Sequence, residues 1–383
     1  MATRLVAWSA LALVLNVPLA AQNRVTERTL RQPEAEFTES FDALQALREL
    51  PDGKLLVTDL GPKAVYLVDF RSQHQTPVGR SGQGPGEYQL PGALLAAPGD
   101  TTLLVDLVSR RFLCIGPDGQ LGKTIPFPDA VQGFPEARGV DGSGRVYFQG
   151  TPFATGPGGF NSGELPDSVP IIRWDRQSGR IDTLGMVKAP SLKMQVAGGA
   201  NSRMVMMRPQ PFAPQDDWAV GADGRVAVAR VGDFHIEWLG PRPARGAPVA
   251  YDPVRVDDGE KDIFLSAMRN TRNRITVTRG GPGRGSQQLK PPEVQASDFN
   301  WPHDKPPFPG RTARISPDGR FWIEQSTRSG DSTEVYDTFD AAGGLMGRVI
   351  LPRGRRLVGV GRGTVYAIRT DDDGLQWLER YRL

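Results

Sequence analysis

Six times along the chain, a turn built on Asp-Gly or a close variant leads into a short β-rich strand, a polar turn and a second strand. The turns are Asp52-Gly53, Gly99-Asp100, Asp141-Gly142, Asp223-Gly224, Asp318-Gly319 and Arg362-Gly363. The strand pairs that follow them fall at 54–59 and 64–69, 102–106 and 111–115, 143–149 and 171–175, 225–229 and 234–238, 320–325 and 334–339, and 364–369 and 375–381. Short apolar or alternating runs bounded by Gly, Asp and Pro are the pattern of antiparallel strands in an all-β domain. A unit recurring every 44–47 residues, stretched to 80 and 95 where segments are inserted, matches one four-stranded blade per repeat. Six units predict a six-bladed β-propeller in one domain spanning residues 22–383.

The last unit has room for only three strands before Leu383. The alternating segment from Val25 to Leu30 is expected to supply its outer strand, burying the one edge that would leave the ring open.

Between the first two units lies Gly79-Arg80-Ser81-Gly82-Gln83-Gly84-Pro85-Gly86-Glu87-Tyr88-Gln89-Leu90-Pro91. Glycines that permit positive φ and prolines that fix it make this a shaped linker, with Gly82, Gly84, Pro85, Gly86, Glu87, Tyr88 and Pro91 as its structural residues. A phosphate cradle would need a helix to open after it, and another strand follows instead.

That linker, followed by Leu103-Leu104-Val105-Asp106, resembles the NHL-repeat β-propellers, and most of all their exported bacterial six-bladed group. The clear match covers residues 42–120. The resemblance implies the fold rather than an activity, since propellers host unrelated functions. Enzymatic relatives include metal-dependent lactonases and peptide-amidating lyases. The multi-histidine site of the lyases has no visible counterpart here, and the lactonase ligands find no matching positions.

Residues 1–21 combine a charged start, an apolar run from Leu5 to Leu15 and a small-residue exit at Ala20-Ala21, which reads as a cleaved secretory signal. The run is short for a membrane span, and no cysteine near the exit offers a lipid attachment point. Export places the protein in the periplasm or outside the cell. Cys114 is the only cysteine, so no intrachain disulfide can form, and its apolar neighbours predict a buried thiol.

The formal net charge of +3 is too small for a nucleic-acid binder. Local basic runs at Arg110-Arg111, 269–274, 279–290 and 353–356 read as solvated turns.

Two insertions break the repeat. The first, between 151 and 214, contains Arg203-Met204-Val205-Met206-Met207-Arg208, an expected inner strand of the fourth blade or its lead-in. The second spans 241–311, between blades 4 and 5. Asp257-Asp258-Gly259-Glu260 opens a helix with acids in its first turn, and Ile263, Phe264, Ala267 and Met268 form an apolar stripe expected to pack on the propeller. The Pro-rich stretch 301–309 presents Trp301, His303, Lys305 and Phe308, which with Arg272 and Arg274 are the candidate partner-binding residues.

The three histidines, His74, His235 and His303, stand at unrelated positions, so no zinc site and no other cofactor is expected. Asp371-Asp372-Asp373-Gly374 lacks the alternating ligands of a calcium loop and reads as a turn. No G-x-S-x-G elbow occurs. Carboxylates meeting in the channel could still form a hydrolytic pair, but the sequence does not single one out. The expected function is a non-catalytic exported propeller that binds or scaffolds a protein, as on the outer face of a membrane complex. The alternative is a lactonase, lyase or carbohydrate-active enzyme working in the central channel, with a divalent cation where the chemistry needs one.

Overall fold

A computed structural model describes residues 25–151 except 132 and 134, then 155–156, 159–160, 166–197, 204–274, 277–279, 287–289, and 294–383 except 332. The expected signal at 1–21 lies outside the described residues, as does Arg203 of the methionine-rich stretch. No described helix is long and apolar enough to cross a membrane.

Six four-stranded sheets form the ring. Blade 1 takes Leu44–Glu49, Leu55–Asp59, Ala64–Asp69 and His74–Pro77, and blade 2 takes Pro91–Ala96, Thr102–Asp106, Arg111–Ile115 and Leu121–Pro126. Blade 3 is built from Glu136–Val140, Val146–Gln149, Ser168–Trp174 and Ile181–Lys188, and blade 4 from Asp217–Val220, Val226–Arg230, His235–Leu239 and Ala244–Arg245. Blade 5 runs from Arg314–Ile315 through Phe321–Glu324 and Val335–Phe339 to Leu345–Ile350, and blade 6 comprises Arg355–Val360, Thr364–Thr370, Gln376–Arg382 and, from the other end of the chain, Ala35–Glu36. The strand pairs read from sequence are the two middle strands of each blade. The first strand of each blade is the inner one: the first strand of blade 1 touches those of blades 2 and 6, and that of blade 3 touches those of blades 2 and 4.

The middle strands are buried on both faces because each blade is sandwiched between two others. Leu55 and Val57 pack toward blade 6, whereas Leu56 between them packs toward blade 2, as the twofold side-chain alternation of a strand requires. One apolar cluster fills each of the six gaps between neighbouring blades. Cys114 lies in the cluster between blades 2 and 3, and burial pushes its thiol pKa up.

Inner-strand arginines fasten one blade to the next. Arg314 of blade 5 donates to Val358 O at 2.9 Å and Leu357 O at 3.3 Å, and Arg356 of blade 6 donates to Leu44 O at 3.2 Å. Arg48 of blade 1 donates to Thr101 O at 2.6 Å, and Arg138 of blade 3 to Asp217 Oδ1 at 2.6 Å. Two of the basic runs expected in solvated turns are therefore structural. Besides Arg356, Arg355 grips Glu379 with two bonds of 2.9 and 3.0 Å, and Arg110 donates to Val131 O at 2.7 Å.

The ring closes through the N-terminal segment, but one blade is shifted from the expected place. Thr26–Thr29 runs parallel to Leu345–Ile350 as a fifth strand on blade 5. The outer strand of blade 6 is Ala35–Glu36, antiparallel to Gln376–Arg382. The chain reaches across because Leu30 and Phe37 bury their side chains in the gaps on either side of blade 6. Phe37 N donates to Leu378 O at 2.8 Å, and Glu34 pairs with Arg380 and Arg382. The alternation of 25–30 fits either edge. The burial of Phe37 and Phe41 and the backbone bonds of Glu34 and Phe41 to Arg380 and Gln376 set the second segment on the last blade.

The linker is shaped as expected. Arg80–Ser81 pairs with Glu87–Tyr88, and the Glu87 carboxylate accepts from Gly84 N at 2.7 Å and Arg80 Nε at 2.6 Å. Tyr88 is buried, accepting from Val65 N at 3.0 Å and donating to Val78 O at 3.1 Å, so it pins blade 1 to blade 2.

The helix of the second insertion runs Asp258–Arg274. Its buried face differs from the expected stripe: Leu265 is buried, Phe264 and Met268 are half-buried, and Ile263 is exposed. That face packs on Val294, Phe299 and Trp301, so the insertion carries a small core of its own. The methionine-rich strand, Met204–Pro209, pairs with Leu192–Ala197 in a separate hairpin, and the inner strand of blade 4 is Asp217–Val220.

Candidate functional site

Strands within a blade alternate in direction. The turns between first and second strands therefore emerge on one ring face, and the blade-to-blade connections emerge on the other, together with the turns between second and third strands. The long segments 150–167, 189–216, 246–313 and 325–334 all belong to the second group, so the strand ends they join open on one ring face. The opposite mouth, walled by first turns such as Pro51, Pro98, Gly142, Ala222, Pro317 and Gly361, holds a cavity of about 820 Å³.

On the insertion-bearing face, over blades 4 to 6, lies a cleft of about 590 Å³. Gln210, Phe212 and Gln215 form one wall, Ser326, Thr327 and Ser329 another, and Arg355, Arg356 and Thr370 a third. Glu324 and Glu334 also line it. A buried ion pair fixes the second wall: Lys305 Nζ lies 2.7 Å from Glu260 Oε2 and donates to Thr327 O at 2.8 Å. Ser329 N donates to Glu260 Oε1 at 2.8 Å. Burial pushes the Glu260 pKa up, but the bonds from Lys305 and Ser329 outweigh it and hold the carboxylate below its ordinary range. The insertion helix is thus tied to the loop of blade 5 that shapes the cleft.

Most acids on this face are occupied by the scaffold. Asp59 accepts from Asp42 N, Ala43 N and Gly61 N, and Asp106 accepts from Gln89 N, Leu90 N and Arg111. Asp217 accepts from Thr312 N and Ala313 N, both at 2.7 Å, besides Arg138. These carboxylates cap the chain as it enters a blade.

Glu324 and Glu334 differ. Glu324 ends the second strand of blade 5, and Glu334 precedes the third. Tyr336 Oη lies 3.3 Å from Glu324 Oε2 and 3.1 Å from Glu334 Oε2, and Glu334 Oε2 also accepts from Leu357 N at 2.9 Å. One hydroxyl proton can serve only one of the two carboxyls. Burial first, and then the charge of Glu334, push the Glu324 pKa up to about 7. Glu334 is also raised by burial, and Tyr336 is raised well above the ordinary phenol value by burial and by both glutamates. Arg314 and Arg356 oppose these shifts by their charge, but their hydrogen bonds go to backbone carbonyls of blades 6 and 1. The arrangement is two carboxyls that contact one phenol hydroxyl in an open cleft, both raised by burial and Glu324 the further.

The residues singled out from sequence are placed differently. Phe308 is fully buried between blades 4 and 5, with its ring 5.3 Å from that of Phe234. Lys305 is consumed by Glu260. Trp301 is half-buried in the insertion core and donates to Ala296 O at 2.8 Å. His303 is exposed, with Nδ1 2.9 Å from Asp304 Oδ2. Arg272 and Arg274 sit in the last turn of the helix, and their side chains lie outside the described residues. The Pro-rich stretch thus buries Phe308 and Lys305 and leaves His303 exposed. Asp371 does make a turn, accepting from Asp373 N, Leu375 N and Trp377 Nε1. Among the described residues, no group of three or more His, Cys, Asp or Glu side chains could hold a metal ion.

No family model matches the chain, and no curated protein matches it in sequence. Solved propellers resemble it in shape. One is a gluconolactonase from Xanthomonas campestris (11% identity, 90% of this chain and 91% of that one, TM-score 0.44). A second is regucalcin, a calcium-binding protein from Agrobacterium tumefaciens (10%, 93% and 96%, 0.42). A third is a virginiamycin B lyase from Staphylococcus aureus (12%, 92% and 98%, 0.40). The ring itself is established by the sheet order above.

Glu324, Glu334 and Tyr336 were not singled out from the sequence. The available signal was register: Gln325 stands where blades 1 and 2 place their capping Asp59 and Asp106, so Glu324 falls in line with Thr58 and Val105, a carboxyl where those blades carry a hydroxyl and a methyl side chain.

Proposed function

We propose that this is an exported binding propeller whose working face is the one carrying the insertions, with the cleft over blades 4 to 6 as its ligand site. The convergence of all the long connections on one ring face supports this reading, because rigid scaffolds carry their contacts on such segments. The ligand would be a small molecule or the protruding end of a larger partner, sized to a cleft of about 590 Å³. A docked membrane complex would meet the same face, with exposed His303 at its rim.

The test is a thermal-shift screen of small molecules, oligosaccharides and peptides against the wild type and a Thr370→Trp variant. Thr370 is exposed at a strand end on the cleft wall, so the indole fills space without removing a core contact. A ligand that stabilises the wild type but not the variant supports the reading. Equal stabilisation of both proteins would place the ligand elsewhere.

A further inference from the structure

The other places that could carry chemistry are already committed. Arg48, Arg138, Arg314 and Arg356 fasten blades, Asp59, Asp106 and Asp217 cap them, and Lys305 and Glu260 neutralise each other. What is left is a pair of carboxyls in the cleft of which Glu334 takes one backbone N–H from blade 6, whereas Glu324 takes none. Repulsion and burial make the pair costly, and such strain is retained where it serves a ligand.

We propose that Glu324 and Glu334 are the acid and the nucleophile of a glycoside-cleaving site in the cleft. This rests on the cleft being the ligand site and adds the substrate class. Three observations carry it. The Tyr336 hydroxyl contacts both carboxyls, at 3.3 and 3.1 Å, which holds the two contacting oxygens closer together than the ~6.5 Å at which inverting pairs begin. The two environments differ in the needed direction: Glu334 receives a backbone N–H from Leu357, which favours its ionised form, whereas Glu324 has only the long contact to Tyr336. The walls are amide, hydroxyl and guanidinium groups beside Phe212, whose ring already carries the Lys305 ammonium 4.9 Å from its centroid, so the lining suits a polyhydroxylated ligand held by hydrogen bonds.

In the first step, Glu324 gives its proton to the glycosidic oxygen as the bond from that oxygen to the anomeric carbon breaks. A Glu334 oxygen bonds to the same carbon, and the alcohol leaves. In the second step, water attacks the anomeric carbon and loses a proton to Glu324. The bond to Glu334 breaks, and both carboxyls return to their starting states. Tyr336 steadies the Glu334 carboxylate while it carries charge. It is a positioning residue, because its own ring is buried.

The experiment incubates the full exported chain with a panel of α- and β-linked aryl glycosides and neutral and acidic oligosaccharides. Reducing-end release, product anomer by proton NMR, and ligand-induced thermal shift are followed. Cleavage with retained configuration, lowered about 10²–10⁴-fold in Glu324→Gln while the thermal shift persists, is expected. Glu334→Gln should lose cleavage in the same way. Cleavage that survives both substitutions, or that inverts the anomer, overturns the assignment. Binding that Thr370→Trp blocks, without cleavage by the wild type, overturns catalysis and leaves the binding reading standing. Absence of both binding and cleavage across the panel overturns the glycoside class.

Discussion

Replacing Phe37 by Ala tests how the ring is held shut. The phenyl ring is fully buried in the gap between blades 6 and 1, with ring centroids 5.7 Å from Phe70 and 6.1 Å from Phe41, and it shares a cluster with Tyr366, Ile368 and Leu378. Deleting a buried Phe side chain costs about 3–5 kcal/mol through lost transfer energy and the cavity left behind. With an unfolding entropy of roughly 2.1 cal/mol/K per residue, that loss lowers Tm by about 4–7 °C for a chain of this length. Urea unfolding followed by tryptophan fluorescence gives the free energy. Hydrogen exchange at 376–382 reports whether the outer edge of blade 6 opens first. Val25→Ala is the control: Val25 is exposed at the start of the same segment, so its loss should stay within about 0.5 kcal/mol. A Phe37→Ala protein less than about 1 kcal/mol weaker, with unchanged exchange at 376–382, would refute the idea that this segment locks the seam.

Glu324→Gln should make the fold more stable at pH 8 and leave it unchanged at pH 4. The native pKa of about 7 lies above the ordinary 4.5, so the folded state holds an extra proton between those values and loses stability as pH rises through them. The gain is at most about 3 kcal/mol above pH 7, read from urea titrations at both pH values; no difference at pH 8 would contradict it. Lys305→Met should strand the Glu260 carboxylate in a buried site, at a cost of about 3–5 kcal/mol to the local structure. Hydrogen exchange should then rise in the helix Asp258–Arg274 while the blade strands keep their protection, and uniform protection would argue against the tie.

The ring was legible because its signal is local and repeated. Leu55-Leu56-Val57 and Leu103-Leu104-Val105 are apolar without a break since blades cover both faces, and the Asp-Gly turns punctuate them. Closure was read to the right end of the chain but the wrong segment, because Val25 to Leu30 alternates as well as any edge strand. The deciding contact, Phe37 against Phe70 and Tyr366, depends on residues far apart in sequence. The candidate site was hidden for the same reason. Glu324 and Glu334 are ten residues apart across a loop, and only the fold brings both to the one Tyr336 hydroxyl. Phe308 misled because a Pro-rich stretch with aromatics reads as an exposed element. Here the long connection folds back, and its phenyl ring fills the gap between blades 4 and 5.

Carboxyl titration is the most direct test of the claim that Glu324 and Glu334 are a buried pair of unequal acidity. Protein labelled with ¹³C at the glutamate side-chain carboxyls, compared with Glu324→Gln, would be followed by NMR from pH 4 to 9. The account predicts one resonance, missing in the variant, with a midpoint near 7, and a second, raised above the ordinary glutamate range by burial, that persists in the variant. Glutamates that all titrate near 4.5, with no change on substitution, would contradict it.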